Sequence, residues 1–197
     1  MHSPAEIARS VAERTARESY GRLVAVLAKR TRDIAAAEDA LAEAFARALS
    51  TWPTRGVPDS PEAWLLTVAR RTVSSVERHR GVRDAARATL ENVHDELSSS
   101  EGSEFPDERL KLLFVCAHPV IDPAVRTPLM LQTVLGLDAV RIGRAFLAPA
   151  ATIGQRLVRA KKKIRDTGLR FDVPDSSRWA ERLEDVLAAI YAAYSTG

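Results

Sequence analysis

From Ala37 to Trp52 the apolar residues recur at intervals of three and four: Ala37, Leu41, Ala44, Phe45, Ala48, Leu49 and Trp52. That spacing gathers them on one side of a 3.6-residue helix. Few stretches of the chain show the period of two that a half-buried strand needs. Alanine, leucine, arginine and glutamate dominate, and aromatic residues are only 6% of the total. The pattern predicts an all-α chain, and 46% hydrophobic content over 197 residues suffices for one or two packed cores.

Caps and breakers divide the chain into helices. Ser3 to about Thr31 reads as helix, with a bend or interruption expected near Tyr20-Gly21. Asp33 is an N-cap for the periodic helix, which Pro53 should stop. Residues 54–60, with Gly56 and Pro58, read as a loop. Ser60 then caps a third helix that has Pro61 in its first turn and buries Leu65, Val68, Ala69, Val73 and Val76. After Pro106 the helical pattern resumes, breaks at His118-Pro119, restarts at Asp122-Pro123 and ends at Gly136, with a kink expected at Pro128. Two further helices, 138–146 and 150–166, flank a turn at Leu147-Ala148-Pro149, and Gly168 is a stop. Trp179, Leu183, Val186, Leu187, Ile190, Tyr191 and Tyr194 form a last stripe whose apolar face needs a partner, on the rest of the chain or on a second copy.

A net charge of +3 points to no partner by itself, but the charges lie in blocks. Arg70 to Arg87 holds six arginines against Glu77 and Asp84, and Glu91 to Glu108 holds seven acids and no lysine or arginine. Ser98 to Ser103 has the small polar composition of a flexible linker. The expected organisation is a helical domain at 1–90, an acidic linker at 91–106, a second helical domain at 107–168 and a C-terminal helical extension at 169–197.

No apolar run approaches the roughly 18 residues of a membrane span, and the N-terminus with Glu6, Arg9 and Glu13 lacks a signal-peptide core. A cytoplasmic protein without membrane contact is expected. The single cysteine, Cys116, rules out an internal disulfide framework. Gly-rich phosphate loops, nucleophile elbows and metal-spaced clusters are missing, and Cys116 with His118 beside a proline does not make a metal site. The chain is therefore expected to be no enzyme and to hold neither metal nor cofactor.

The most specific feature is a helix-turn-helix pattern at 138–166. Its second helix sends Ile153, Leu157, Ala160 and Ile164 to one side and Thr152, Gln155, Arg156, Arg159 and Lys163 to the other. A recognition helix enters the major groove by its N-terminal end, so Thr152, Gln155 and Arg156 are candidate base readers. Arg159, Lys161, Lys162, Lys163 and Arg165 are candidate phosphate anchors, with Arg141 and Arg144 on the preceding helix. A solvated lysine-rich helix end is the plainer reading of the basic cluster alone, and the attached turn with its apolar periodicity weighs against it. The basic run from Arg70, close to Trp64, suits unstacked single-stranded bases, because aromatic stacking tolerates any sequence while positive charge follows the backbone. Such a run is also ordinary for a solvated helix face.

These residues resemble a known family. Asp33 through Phe45 is similar to the region-two helix of sigma factors, and Pro61-Glu62-Ala63-Trp64-Leu65 to the start of their promoter-melting helix. Ala145-Phe146 followed by Ala151 through Arg165 is similar to sigma region four, with Asp107-Glu108-Arg109-Leu110 and Cys116-Ala117-His118-Pro119 in order between them. The chain thus resembles extracytoplasmic-function RNA polymerase sigma factors of the sigma-70 family, in the subgroup with a C-terminal tetratricopeptide-like extension. On that resemblance residues 169–197 begin the extension and the remainder is missing.

The resemblance implies that the first domain is a region-two bundle binding bacterial RNA polymerase core, and the second a region-four helix-turn-helix reading promoter DNA. Glu38, Asp39 and Glu43, off the apolar stripe, would face polymerase. Arg55, Trp64, Arg70, Arg71 and Arg78 would meet the minus-ten strand, although Thr72 to His79 is less basic than is usual in the family. Thr152, Gln155, Arg156, Arg159, Lys162 and Lys163 would read the minus-thirty-five duplex. An anti-sigma factor, or the chain's own extension, would regulate it. The alternatives are a stand-alone helix-turn-helix regulator and a helical scaffold that has lost DNA binding. The acidic run at Glu38 to Glu43 is unexplained by the first, and the Gln155-Arg156 face by the second.

Overall fold

A computed structural model of the chain describes residues 3–79, 108–169, 171 and 175–195. Among them are eight α-helices, one short 3-10 turn and no strand, so the chain is all-α as the periodicity requires. The acidic linker expected at 91–106 lies outside the described residues, as do the side chains of Val76 and Arg78.

The first three helices are α1 (Pro4–Thr31), α2 (Ile34–Arg55) and α3 (Pro61–His79), and each packs on the other two. Ser3 and Glu6 open α1 with a reciprocal capping box, which satisfies two otherwise orphaned N–H groups. Asp33 caps α2 by accepting from the Ala36 N–H at 3.2 Å. The side of α2 that meets α1 and α3 is mostly alanine, with Ala37, Ala40, Ala44 and Ala48 at or near zero exposure, so the three helices approach closely around Leu41 and Trp52. Leu23, Leu27, Leu65 and Leu66 complete this core, each contributing roughly 1.5–3 kcal/mol by leaving water.

Three expectations change here. The α1 helix runs through Tyr20-Gly21 without interruption. Pro53 sits inside the last turn of α2, which continues to Arg55 and ends at Gly56 with φ of 85°. Pro53 forfeits the one hydrogen bond that its N–H would have made, and the chain leaves the helix at Gly56, whose positive φ suits a residue without a side chain. Leu49, placed on the buried stripe by its spacing, is 49% exposed.

The remaining helices are α4 (Glu108–Cys116), α5 (Pro123–Leu135), α6 (Ala139–Ala145), α7 (Ala150–Thr167) and α8 (Ala180–Ser195). Asp122 and Asp138 cap α5 and α6, and Pro128 lies within α5. Leu129, Met130 and Leu131 of α5 form the centre, against which α4, α6, α7 and α8 all pack. On α8 the buried edge is Arg182, Val186 and Ala189, with Arg182 Nη1 donating to the Phe114 carbonyl at 3.2 Å. Leu187, Tyr191 and Tyr194 of the expected stripe are exposed instead, and Trp179 lies before the helix with its ring 6.2 Å from that of Phe114. No described helix is long and apolar enough to cross a membrane.

Segments 3–79 and 108–195 share one continuous hydrophobic core. The joint runs from α1 to α4 and α5 and from α2 to α7. At its middle, Gly21 of α1 lies against the backbone of Val134, and the Tyr20 ring covers Gly136, where an added Cβ would stand 3.1 Å from Tyr20 Cδ1.

Candidate nucleic-acid interface

Helices α6 and α7 and the turn between them form the helix-turn-helix. Asp138 accepts from the Arg141 N–H at 2.8 Å and starts α6, and Phe146 ends it. The turn folds back tightly, with the Ala148 N–H donating to the Gly143 carbonyl at 2.9 Å. A Cβ at Gly143 would stand 2.6 Å from the Ala148 carbonyl oxygen, so residue 143 must be small for the turn to close. Leu147 takes a left-handed φ of 50° and is 96% exposed at the tip.

Helix α7 divides its faces much as the sequence predicts. Ile153, Leu157, Ala160 and Ile164 are buried, while Gln155, Arg156, Arg159, Lys162 and Lys163 are exposed and Thr152 is half-buried. Arg141 and Arg144 of α6 are exposed as well. The result is a basic, polar outer face carried on a helix whose inner face is locked into the core. Five cations of this kind can neutralise phosphates and aim Gln155 and Arg156 at base edges.

Lys161 departs from its expected role as a phosphate anchor, and Arg165 stays exposed while reaching toward α2. Lys161 is 8% exposed and forms an ion pair with Glu38 of α2, and Arg165 Nη1 lies 3.3 Å from Asp33 Oδ2. Position 161 is four residues after Leu157 and one after Ala160, so it borders the apolar face and turns inward with it. That spacing was the available signal.

The proposed polymerase-facing residues are placed unequally. Asp39 and Glu43 are exposed, and Glu43 pairs with Arg47 one turn on at 2.8 Å. The Glu38 side chain is 15% exposed, enclosed by the α2–α7 contact. Burial raises its pKa, an effect that the pairing with Lys161 only partly offsets and that Asp39 and Asp33 reinforce. Asp33, Asp39, Glu43, Arg47 and Arg165 line a cleft of about 470 Å³ beside Thr72 and Val73 of α3.

Among the residues expected to meet single-stranded DNA, Arg55 and Arg71 are exposed. Trp64 is half-buried with its ring edge-on to Trp52, centroids 5.5 Å apart at 67°. Arg70 is 6% exposed, on the flank of α3 that carries Leu66, Ala69 and Val73 into the core, so its guanidinium is not offered to solvent in this arrangement. Burial, and then Arg30, lower its pKa. The α3 helix is fixed to α1 by Glu62, which accepts from both Ser19 and Arg22.

Cys116 is fully buried, 3.6 Å from the Thr133 hydroxyl, and burial pushes its thiol up to about 12. His118 accepts from the Val120 N–H through Nδ1, and burial and the neighbouring Arg182, Arg178 and Arg126 hold its pKa down. Among the described residues no group of histidine, cysteine and acidic side chains could hold a metal ion.

The chain is 36% identical over 177 residues to an uncharacterized protein of Rhizobium meliloti (strain 1021), a match covering 84% of this chain and 41% of that protein. It therefore spans less than half the length of this curated relative. No solved structure matches. Residues 16–83, which take in most of α1 and all of α2 and α3, match the family Sigma-70 region 2. The matched stretch takes in the helix that carries Glu38, Asp39 and Glu43, and it is similar to Sigma-70 region 2 over about a third of the chain.

Proposed function

We propose that this chain is an RNA polymerase sigma factor of the extracytoplasmic-function type, acting in the cytoplasm of a bacterium. One observation carries the reading: a stretch similar to Sigma-70 region 2 is followed in the same chain by a helix-turn-helix whose outer face holds Gln155, Arg156, Arg159, Lys162 and Lys163. The acidic outer side of α2, with Asp39 and Glu43, binds core polymerase. Helix α7 reads the minus-thirty-five duplex, and the end of α2 with the start of α3, around Arg55, Trp64 and Arg71, meets the minus-ten element. The two functional units are 1–90 and 107–168, joined through 91–106, with 169–197 as an extension. An anti-sigma factor or that extension restrains the protein until transcription is needed.

Reconstitution with bacterial core polymerase tests this. A stable complex and promoter-dependent transcripts are expected, and no complex would sink the reading. A stand-alone helix-turn-helix regulator is the competing reading, favoured by the inward turn of Glu38 toward Lys161. It predicts tight duplex binding together with indifference to polymerase.

A further inference from the structure

We infer that the exposed side of α8 is a self-association surface, on which a second copy of the chain lays the same helix antiparallel. The inference goes beyond the proposed function and holds or fails without it.

Helix α8 is fixed to the rest of the chain along one side. Arg182 donates to the Phe114 carbonyl at 3.2 Å, Arg126 pairs with Asp185 at 2.7 Å, and the Trp179 ring stands beside that of Phe114. Val186 and Ala189 close the same side against the core. Turned away from it, Leu183, Leu187, Ile190 and Tyr194 are 42%, 55%, 45% and 87% exposed. They follow one another at four, three and four residues, and exposed Ala180 extends the row by three more. A repeat averaging 3.5 residues is the seam by which one helix receives the knobs of another, and a solvated flank has no need of it. The partner that fits is therefore another helix with the same spacing.

Charge, size and area select the second copy. Glu181, Glu184 and Asp185 all lie in the first half of α8, and the second half as far as Tyr194 carries no charge. A parallel pair would set these like charges side by side. An antiparallel pair centred on Leu187 sets each acidic half beside an uncharged one, where the Tyr194 hydroxyl can donate to a carboxylate, and it opposes the two helix dipoles. The same register brings Ala180 of each copy opposite Tyr194 of the other, a small residue against a large one, and Leu187 against its counterpart. A buried tyrosine contributes about 150–250 Å², and the aliphatic side chains add to it, so closing the stripe removes on the order of 500 Å² per copy, about 1,000 Å² in all. That is the lower edge of a specific interface, so the dimer should be concentration-dependent, with a micromolar dissociation constant, rather than permanent. An anionic lipid surface is the poorer occupant, because the one arginine of the helix, Arg182, is buried and the flank next to the stripe carries Glu184.

Sedimentation equilibrium of the 197-residue chain tests this. Between about 1 μM and about 500 μM the average mass should climb from that of one chain toward that of two. Leu187→Glu sets two like charges on the two-fold axis and should raise the dissociation constant at least about tenfold, with the helix content by circular dichroism unchanged. An equimolar mixture of Leu187→Glu and Leu187→Lys should associate again at concentrations where neither does so alone, a rescue that misfolded variants would not give. Orientation is read by disulfide trapping in a Cys116→Ser background. Ala180→Cys mixed with Tyr194→Cys should cross-link, and Ala180→Cys by itself should not. A single-chain mass across the whole range, or a dimer that Leu187→Glu leaves intact, overturns the inference. Self-linking at residue 180 overturns the antiparallel arrangement. A monomeric chain that sediments with phosphatidylglycerol vesicles, and loses them in Leu187→Glu, would assign the stripe to a membrane and overturn the inference as well.

Discussion

Gly21 of α1 and Val134 of α5 meet backbone to backbone: a Cβ at residue 21 would run into the Val134 carbonyl group. The two residues are far apart in the chain and belong to different halves of it, so the contact is a sensitive probe of how the halves pack. In an isolated helix, Gly→Ala stabilises by about 0.5–1 kcal/mol because alanine restricts the unfolded chain and favours the helix. Here the methyl group has no room, and overpacking against backbone costs about 1–3 kcal/mol. Gly21→Ala should therefore lower the urea midpoint. A raised midpoint would mean that α1 and α5 do not touch in solution.

The same glycine shows where the sequence was legible and where it was not. The helices were readable because caps and breakers act locally: Asp33, Asp122 and Asp138 each start a helix through a side chain that accepts from a nearby backbone N–H. Gly21 read as a bend because a glycine inside a helical pattern has the same local signature whether it bends the helix or admits a neighbour. Only the position of α5 decides between the two. Lys161 differs in kind. Its place beside Leu157 and Ala160 was readable, but its partner Glu38 lies more than 120 residues away, and pairing across that interval depends on tertiary packing that no local pattern encodes. The outer face of α7 was legible because one helix determines which side of itself is apolar.

Glu38 should leave a signature in the pH dependence of stability. The charged groups around it are Lys161 from α7 and Asp33 and Asp39 from its own helix, with the Tyr20 hydroxyl of α1 and the Cys116 thiol of α4 also in its field. Burial is the largest influence and raises its pKa in the folded state. Between the ordinary glutamate value and the raised one, the folded chain binds more protons than the unfolded chain, so stability falls as pH rises through that window. Glu38→Gln removes this slope. Urea midpoints measured from pH 4 upward should decline less steeply in Glu38→Gln than in the parent, and identical slopes would place Glu38 in water.

Cys116 should be inert while the chain is folded. It has no exposed surface, and with its thiol pushed up to about 12 only a trace is thiolate at pH 8. A disulfide reagent should then react only through unfolding, at a rate that rises with urea in step with the global transition. Rapid stoichiometric reaction in the absence of denaturant would show that the α4–α5 packing opens on its own.

Arg156 and Arg159 separate base reading from charge on the same helix. Both are exposed, neither packs into the core, and so alanine at either position should leave the fold unchanged within about 0.5 kcal/mol. Arg156 lies in the second turn of α7, where a recognition helix meets base edges. Arg156→Ala should cost about 1–3 kcal/mol on the preferred duplex and much less on unrelated sequence, so that the preference itself shrinks. Arg159, one turn further along, is placed for phosphate. Arg159→Ala should weaken all duplexes alike and make the slope of log affinity against log salt shallower by about 0.9. Fluorescence anisotropy at several salt concentrations measures both quantities, and unchanged slopes and affinities for the two variants would take α7 out of the DNA interface.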